Sequence, residues 1–350
     1  MLDHLNPAQR EAVSAPPGHY LVLAGAGSGK TRVLIHRIAW LNEVQGVPNH
    51  GIFAVTFTNK AAGEMRHRTD LQLRNGSRGM WIGTFHGLAH RLLRLHWQDA
   101  RLPEGFQVMD SDDQLRLVKR VVQSLELDES KYPPKQMSWW INEQKDEGRR
   151  PQHIQPEPND DWTEVRRQVY AAYQERCDRS GLLDFAELLL RAYELLSRNG
   201  PLRHHYQMRF RHILVDEFQD TNDLQYNLLK LLAGHSEEGG GAIFAVGDDD
   251  QSIYAFRGAQ VGNMADFERE FRVEQVIKLE QNYRSHSHIL DAANALIARN
   301  PRRLGKNLRT DAGAGEPLRV YESTSDFGEA QWLLEEAQQL HRDGLPRAEI

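Results

Sequence analysis

Five short apolar runs stand out along the chain: Tyr20–Ala24, Ile52–Phe57, Met80–Thr84, Ile213–Asp216 and Ala242–Val246. Each is rich in β-branched or aromatic residues and ends in a polar or glycine-rich turn. Continuous apolar runs suit strands buried on both faces, and helical stretches lie between them, so the pattern predicts a parallel α/β sheet. The long stretch between Thr84 and Ile213 reads as helix. Leu115, Val118, Val122 and Leu125 share one face, as do Val165, Val169, Ala172 and Tyr173, and Phe185-Ala-Glu-Leu-Leu-Leu continues the theme. Pro133-Pro134 and the Pro151 to Pro158 segment divide it. The prediction is a helical domain, 91–199, inserted into a discontinuous α/β lobe formed by 1–90 and 200–275. Beyond it, Val276-Ile277-Lys278-Leu279, a helix from Ile289 to Ile297 and a strand around Leu318–Tyr321 predict the opening of a second α/β lobe over 276–350.

At 350 residues and 40.2 kDa the chain has room for two or three domains. Hydrophobic residues make up 40% and charged residues 26%, which excludes a disordered or collagenous chain. No apolar run reaches the roughly 20 residues of a membrane span. The start, Met1-Leu2-Asp3-His4, lacks the form of a signal peptide, so a cytoplasmic location without membrane contact is expected. Cys177 stands alone and reads as a thiol buried in a helix. A net charge of -6 argues against nucleic acid as a partner. The distribution argues otherwise: between Lys60 and His96 seven Lys/Arg and four His face only Glu64 and Asp70. Trp139-Trp140 is expected to serve packing.

Candidate chemistry sits at the strand ends. After the first run comes Ala24-Gly25-Ala26-Gly27-Ser28-Gly29-Lys30-Thr31, which matches the P-loop pattern except that Ala24 stands at its first glycine. Glycines let backbone N–H groups close around phosphates, the helix offers its positive end, Lys30 reaches the terminal phosphates and Thr31 suits magnesium. The alternating glycines do not fit a dinucleotide fold, which spaces them Gly-x-Gly-x-x-Gly. Val215-Asp216-Glu217-Phe218-Gln219-Asp220 offers Asp216 to a metal and Glu217 as a base. Adjacent carboxylates at a strand end often form a solvated turn, but the phosphate loop favours catalysis here. Gly247-Asp248-Asp249-Asp250-Gln251-Ser252-Ile253-Tyr254-Ala255-Phe256-Arg257 joins acids, an amide, two aromatics and an arginine. Asp249 and Asp250 are expected in a solvated turn.

In order along the chain, Leu21–Arg32, Ala54–Ala62, Thr84–Arg94, Val215–Thr221, Gly247–Ala259 and Gln281–Ser285 resemble the superfamily 1 DNA helicases of the UvrD/Rep/PcrA type. In that family Ala is usual at the position of Ala24. The resemblance implies a RecA-like P-loop fold with ATP and Mg2+ as cofactors. It implies that Gln9 reads adenine and Tyr283 stacks on it, that Lys30 and Arg284 hold phosphates with Arg32 and Arg68 assisting, and that Gln251 senses the γ-phosphate. Phe57, Tyr254 and Phe256 would stack on bases, and Asn59, His86 and Arg257 would contact the strand. Phe256 stands where the family usually has Trp, which implies a smaller stacking surface. The implied function is ATP-dependent 3′–5′ translocation and unwinding, on single-stranded DNA and single-strand/duplex junctions, in DNA repair with other repair proteins. The family pattern continues beyond Ile350 to a second arginine finger, so a fragment that binds nucleotide and DNA without turnover is the competing expectation. A metabolic P-loop kinase leaves the paired aromatics unexplained.

Overall fold

In chain order, α1 (Pro7–Ser14) leads to β1 (Tyr20–Ala24), α2 (Lys30–Glu43), β2 (Ile52–Thr56), α3 (Asn59–Gln72), β3 (Trp81–Thr84) and α4 (Phe85–Leu95). A helical stretch follows: β4 (Gln107–Val108), α5 (Ser111–Ser124), α6 (Pro134–Asp146), α7 (Asp161–Ser180), β5 (Leu182–Leu183), α8 (Phe185–Arg198) and α9 (Gly200–Arg209). Then come β6 (His212–Val215), α10 (Asp223–Ala233), β7 (Ala242–Gly247), α11 (Gly262–Glu270), β8 (Gln275–Leu279), α12 (Ser287–Ile297) and α13 (Asp326–Arg342). The computed structural model describes residues 2–156, 160–234, 240–253, 258–260, 262–300 and 303–350.

Six strands form one sheet in the order β3-β2-β6-β7-β1-β8, with every neighbouring pair parallel. The five apolar runs supply five of its six strands, with β3 at one edge, and period-two alternation sends their side chains to two cores. Leu21 and Leu23 join one with residues of α4, α8 and α10, while Tyr20, Val22 and Ala24 join the other with Val33, Leu34 and Ile38 of α2. A third core holds the insertion together, built from Val118, Val121 and Val122 of α5, Met137 and Ile141 of α6, and Val169, Tyr170, Tyr173 and the buried Cys177 of α7.

Two segments beside the expected boundaries pack with the sheet. Val276–Leu279 falls within β8, which pairs with β1 from Tyr20↔Gln275 to Ala24↔Leu279 as the sixth strand of the sheet. Its burial alternates, Ile277 and Leu279 inside and Lys278 outside, as befits a strand at the sheet edge. At the other boundary, α8 lies within the expected insertion yet buries Leu188, Leu189, Ala192, Leu195 and Leu196 in the core on one sheet face. Its continuous apolar surface needs more cover than the small insertion core offers. The strand expected around Leu318–Tyr321 is not formed: Val320 is 96% exposed, and among the described residues no neighbour pairs with the segment. Strand propensity without a partner edge leaves the ladder unmade. Trp139 is not packed either; it stands 61% exposed with the Lys135 ammonium 5.0 Å from its ring, whereas Trp140 packs on the insertion core.

Burial holds the His212 imidazole on β6 down to about 4, with Arg37 and Arg211 adding to the effect. Burial alone does the same for His86, to about 4. The unfolded chain takes up these protons near the ordinary histidine value of about 6.5 and the folded chain does not, so stability falls as pH drops from there toward 4. Urea midpoints between pH 7 and pH 5 should therefore decline less steeply for His212→Gln than for the unmodified chain. An equal slope would show that His212 carries none of this sensitivity.

Candidate nucleotide and nucleic-acid site

The carboxyl ends of β6, β7 and β1 lie side by side, and each leads into one of the chemical segments. Ala24 is the last residue of β1 and fully buried in the sheet core, before the loop turns, so a methyl group is accommodated there. Within the loop, Gly27 and Gly29 have φ of 69° and 91°, a region that favours glycine, and Gly29 leads directly into α2. Ser28 Oγ donates to the Gly25 carbonyl (2.7 Å), closing the turn. Lys30 and Thr31 occupy the first turn of α2, where the helix dipole favours anions.

Lys30 Nζ donates to Glu217 Oε2 at 2.8 Å. Glu217 itself sits just past β6 in the left-handed region, with φ 49° and ψ 48°. A non-glycine residue there is strained, and such strain gathers where a side chain must be aimed. Asp216 is buried; its Oδ2 accepts from Thr56 Oγ1 (3.2 Å) while Oδ1 has no partner. Burial, then the neighbouring Glu217, pushes its carboxyl up to about 6, against the pull of Lys30 and Thr56. Asp220 is likewise raised to about 6 by burial and by Glu217, and its Oδ1 is also unpartnered.

Gln251 follows β7 and donates through Nε2 to Asp248 Oδ2. Gln9 ties the start of α1 to the loop: its Nε2 donates to the Ser28 carbonyl (2.8 Å) and its Oε1 accepts from Asn6 N (3.2 Å). One N–H and one lone pair of that amide remain for a base edge. Tyr283 lies beside it, accepting from Asn6 Nδ2 at 2.9 Å, with its own N–H on the Gly27 carbonyl at 2.9 Å. Arg284 is exposed and its Cβ lies against Gly27. Two expected phosphate helpers are engaged elsewhere. Arg32 donates to the His4 carbonyl (2.8 Å), and Arg68 pairs with Glu64 on an exposed face of α3.

On the nucleic-acid side, Phe57 follows β2 half-buried, and Asn59 is the exposed first residue of α3. His86 lies in the first turn of α4 and stacks on Phe185 with ring centroids 4.2 Å apart. Its lowered proton affinity leaves it neutral near pH 7, so it offers hydrogen bonding and a flat face rather than a charge. Tyr254, Phe256 and Arg257 lie outside the described residues.

The family model described as UvrD/REP helicase N-terminal domain matches residues 5–272, and that described as UvrD-like helicase C-terminal domain matches 277–349. The chain belongs to the UvrD/REP helicase family. Its sheet of parallel strands flanked by helices is the RecA-like α/β fold of that family. DNA helicase II of Escherichia coli (strain K12) is 57% identical over 334 residues, 95% of this chain and 46% of that protein. ATP-dependent DNA helicase UvrD1 of Mycobacterium tuberculosis (strain ATCC 25618 / H37Rv) is 44% identical over 346 residues, 96% and 44% of the two chains. ATP-dependent DNA helicase PcrA of Bacillus subtilis (strain 168) is 40% identical over 344 residues, 98% and 46%. The chain thus spans about half the length of the curated relatives it matches, 46% in the first case.

Four residues of this UvrD-like site escaped the sequence reading. Gln219, 1% exposed, donates to Glu217 Oε2 (2.9 Å) and accepts from Asp248 N (2.9 Å), linking two of the segments. Asn282 donates to the Ala26 carbonyl (2.6 Å) and accepts from the N–H groups of Arg284 (2.8 Å) and Ser285 (2.7 Å), fastening the arginine to the phosphate loop. Phe185 presents an aromatic ring 58% exposed beside His86. Lys306 is the fourth. The expected solvated turn at Asp249 and Asp250 is overturned by it: Lys306 Nζ reaches Asp249 Oδ1 at 2.8 Å and Asp250 Oδ2 at 2.7 Å, and Asp249 is buried. Carboxylates of such a run can be buried only where a cation meets them.

Proposed function

We propose that this chain is the nucleotide-hydrolysing part of an ATP-dependent 3′–5′ DNA helicase and single-stranded DNA translocase, acting at single-strand/duplex junctions in DNA repair. The observation that carries the reading is the Lys30–Glu217 contact at 2.8 Å beside the unpartnered Asp216 Oδ1. A phosphate-binding cation after β1 meets a candidate base and an open metal-type oxygen at the end of β6, two strands away in the same sheet. That oxygen is hard and anionic, which suits Mg2+, and Thr31 stands next to Lys30 to complete the donor set. Bound there, Mg2+ neutralises charge building on the phosphate oxygens.

The chain's own residues then do the following. Loop N–H groups and the α2 terminus take the phosphates, and Lys30 turns from Glu217 to the terminal ones. Glu217, released from that pair, orients a water and accepts its proton. Arg284, fastened by Asn282, adds positive charge from the opposite side, and Gln251 leaves Asp248 to meet the γ-phosphate. Phe57, Asn59 and His86 stand within three residues of the ends of β2 and β3, strands of the same sheet, which supports a strand path over the lobe that responds to the nucleotide. UvrD1 and PcrA are named ATP-dependent DNA helicases, in accord with this reading.

The test is steady-state ATP turnover of the purified chain with and without single-stranded DNA. Stimulation by DNA is expected. Nucleotide binding without stimulated turnover would withdraw the motor reading for this chain and leave the competing one, a fragment that binds nucleotide and DNA.

A further inference from the structure

Asp248, Asp249 and Asp250 bring carboxylate oxygens within 4.8 Å of one another, the spacing of a cation site. A side chain of the protein supplies the cation. Lys306, 4% exposed, places Nζ 2.5 Å from Asp248 Oδ1, 2.8 Å from Asp249 Oδ1 and 2.7 Å from Asp250 Oδ2. Arg303 grips Asp250 with two parallel bonds of 2.8 Å, and Leu304 N donates to Asp249 Oδ2 at 2.7 Å. Burial opposes the charge on Lys306, but Asp248 and its neighbours outweigh it and raise the ammonium's proton affinity. The division of labour follows the chemistry of the two cations. A compact ammonium can be shared among three carboxylates arriving from different directions, whereas a planar guanidinium serves one carboxylate edge-on.

Two connections lead from this cluster to the nucleotide site. Asp248 uses its other oxygen to hold the Gln251 amide, and its N–H is held by Gln219, which also touches Glu217. Two residues past Lys306, the Leu308 side chain lies where a Cβ on Gly25 would fall, so the same short segment covers the phosphate loop. The segment is further pinned where Asn282 N donates to the Arg309 carbonyl at 2.7 Å. It therefore touches the site at the Gln251 side and at the phosphate loop.

We propose that Lys306 is a positioning residue for ATP: by holding Asp248 it sets where the Gln251 amide waits, so that 303–309 governs how the site tells ATP from ADP. The proposal rests on reading this site as the ATP site. Without the ammonium, three clustered carboxylates would repel each other and an incoming triphosphate. Gln251 would then lose its fixed acceptor.

The test titrates the full chain with fluorescent ATP and ADP analogues and Mg2+, comparing the unmodified chain, Lys306→Met, Gln251→Ala and the double variant. Lys306→Met should lower the preference for ATP over ADP by about tenfold, and Gln251→Ala by a similar factor. The double variant should be no worse than Gln251→Ala alone, because both act through one amide. Hydrogen exchange should quicken at 248–251 in Lys306→Met. Lys306→Arg keeps the charge but not the three-way sharing; it supplies the same readout if the Met variant does not fold. Effects that multiply, an unchanged preference in both Lys306 variants, or an unmodified chain without preference overturn the proposal. Lys30→Ala separates the two levels: if it leaves ATP binding intact, the ATP-site reading itself has failed.

Discussion

Glu217→Gln should reduce ATP turnover by about 10²- to 10⁴-fold while leaving ATP affinity unchanged or tighter, the range expected when a positioned proton acceptor is removed. That corresponds to roughly 3–5 kcal/mol of transition-state stabilisation. Glutamine keeps the shape, and its amide oxygen can still accept from Gln219, which donates to Glu217 Oε2 at 2.9 Å. It cannot take a proton from water. Folding should change little, since the Lys30–Glu217 pair is partly exposed, with side-chain exposures of 11% and 33%, and such pairs stabilise weakly. Removing the carboxylate also frees Lys30 for phosphates, hence the expected direction for affinity. Equilibrium binding and single-turnover hydrolysis separate the two effects. A variant that turns over within tenfold of the unmodified chain would move the base elsewhere. Asp220 is then the next candidate, because burial has raised its carboxyl to about 6 and one oxygen is unpartnered.

What the sequence disclosed and what it hid follow from how far each signal reaches along the chain. The Gly-rich loop and the Asp216-Glu217 pair are local patterns at the ends of apolar runs, so reading the strands also located these segments at strand ends. The strand at Val276–Leu279 was visible, but its membership was not, because an open edge on β1 can only be seen in three dimensions. Leu318–Tyr321 carries the same kind of signal and forms no ladder. Lys306 meets an aspartate run more than fifty residues away, 57 from Asp249, and no periodicity announces such a pair. The three consecutive acids did carry a clue: an uncompensated run beside a buried strand needs either water or a cation. Gln219 was hidden differently, inside a motif whose neighbouring acids drew the functional assignment.

The inserted helices hold a second charge cluster, and Glu187→Gln should destabilise the fold by about 3–5 kcal/mol, the cost typical of breaking a buried ion pair from one side. Glu187 is 1% exposed and meets three cations: Lys145 Nζ at 3.0 Å, Arg150 through two bonds of 2.8 Å, and Arg191 Nε at 2.9 Å. Lys145 also pairs with Asp184 at 2.6 Å, and Asp184 caps α8 by accepting from Glu187 N at 2.7 Å. The cluster thus joins α6 to the first turn of α8, the helix that packs on the sheet and carries Phe185. A neutral amide removes the carboxylate that Lys145, Arg150 and Arg191 share and leaves each of them a single anion, Asp184, Glu194 and Asp178 respectively, of which Asp178 is half exposed and screened by water. Burial opposes the charge on Glu187, yet Lys145, Arg150 and Arg191 outweigh it and hold the carboxyl well below its ordinary 4.5. Its stabilisation is therefore fully present above that value and lost as pH falls toward the lowered one. Urea unfolding at pH 7 should show the full gap between the two proteins, and the gap should narrow as pH falls below 4.5. A gap under about 1 kcal/mol at pH 7, the scale of an exposed pair, would mean that water or a rearranged partner satisfies these cations when Glu187 is neutralised.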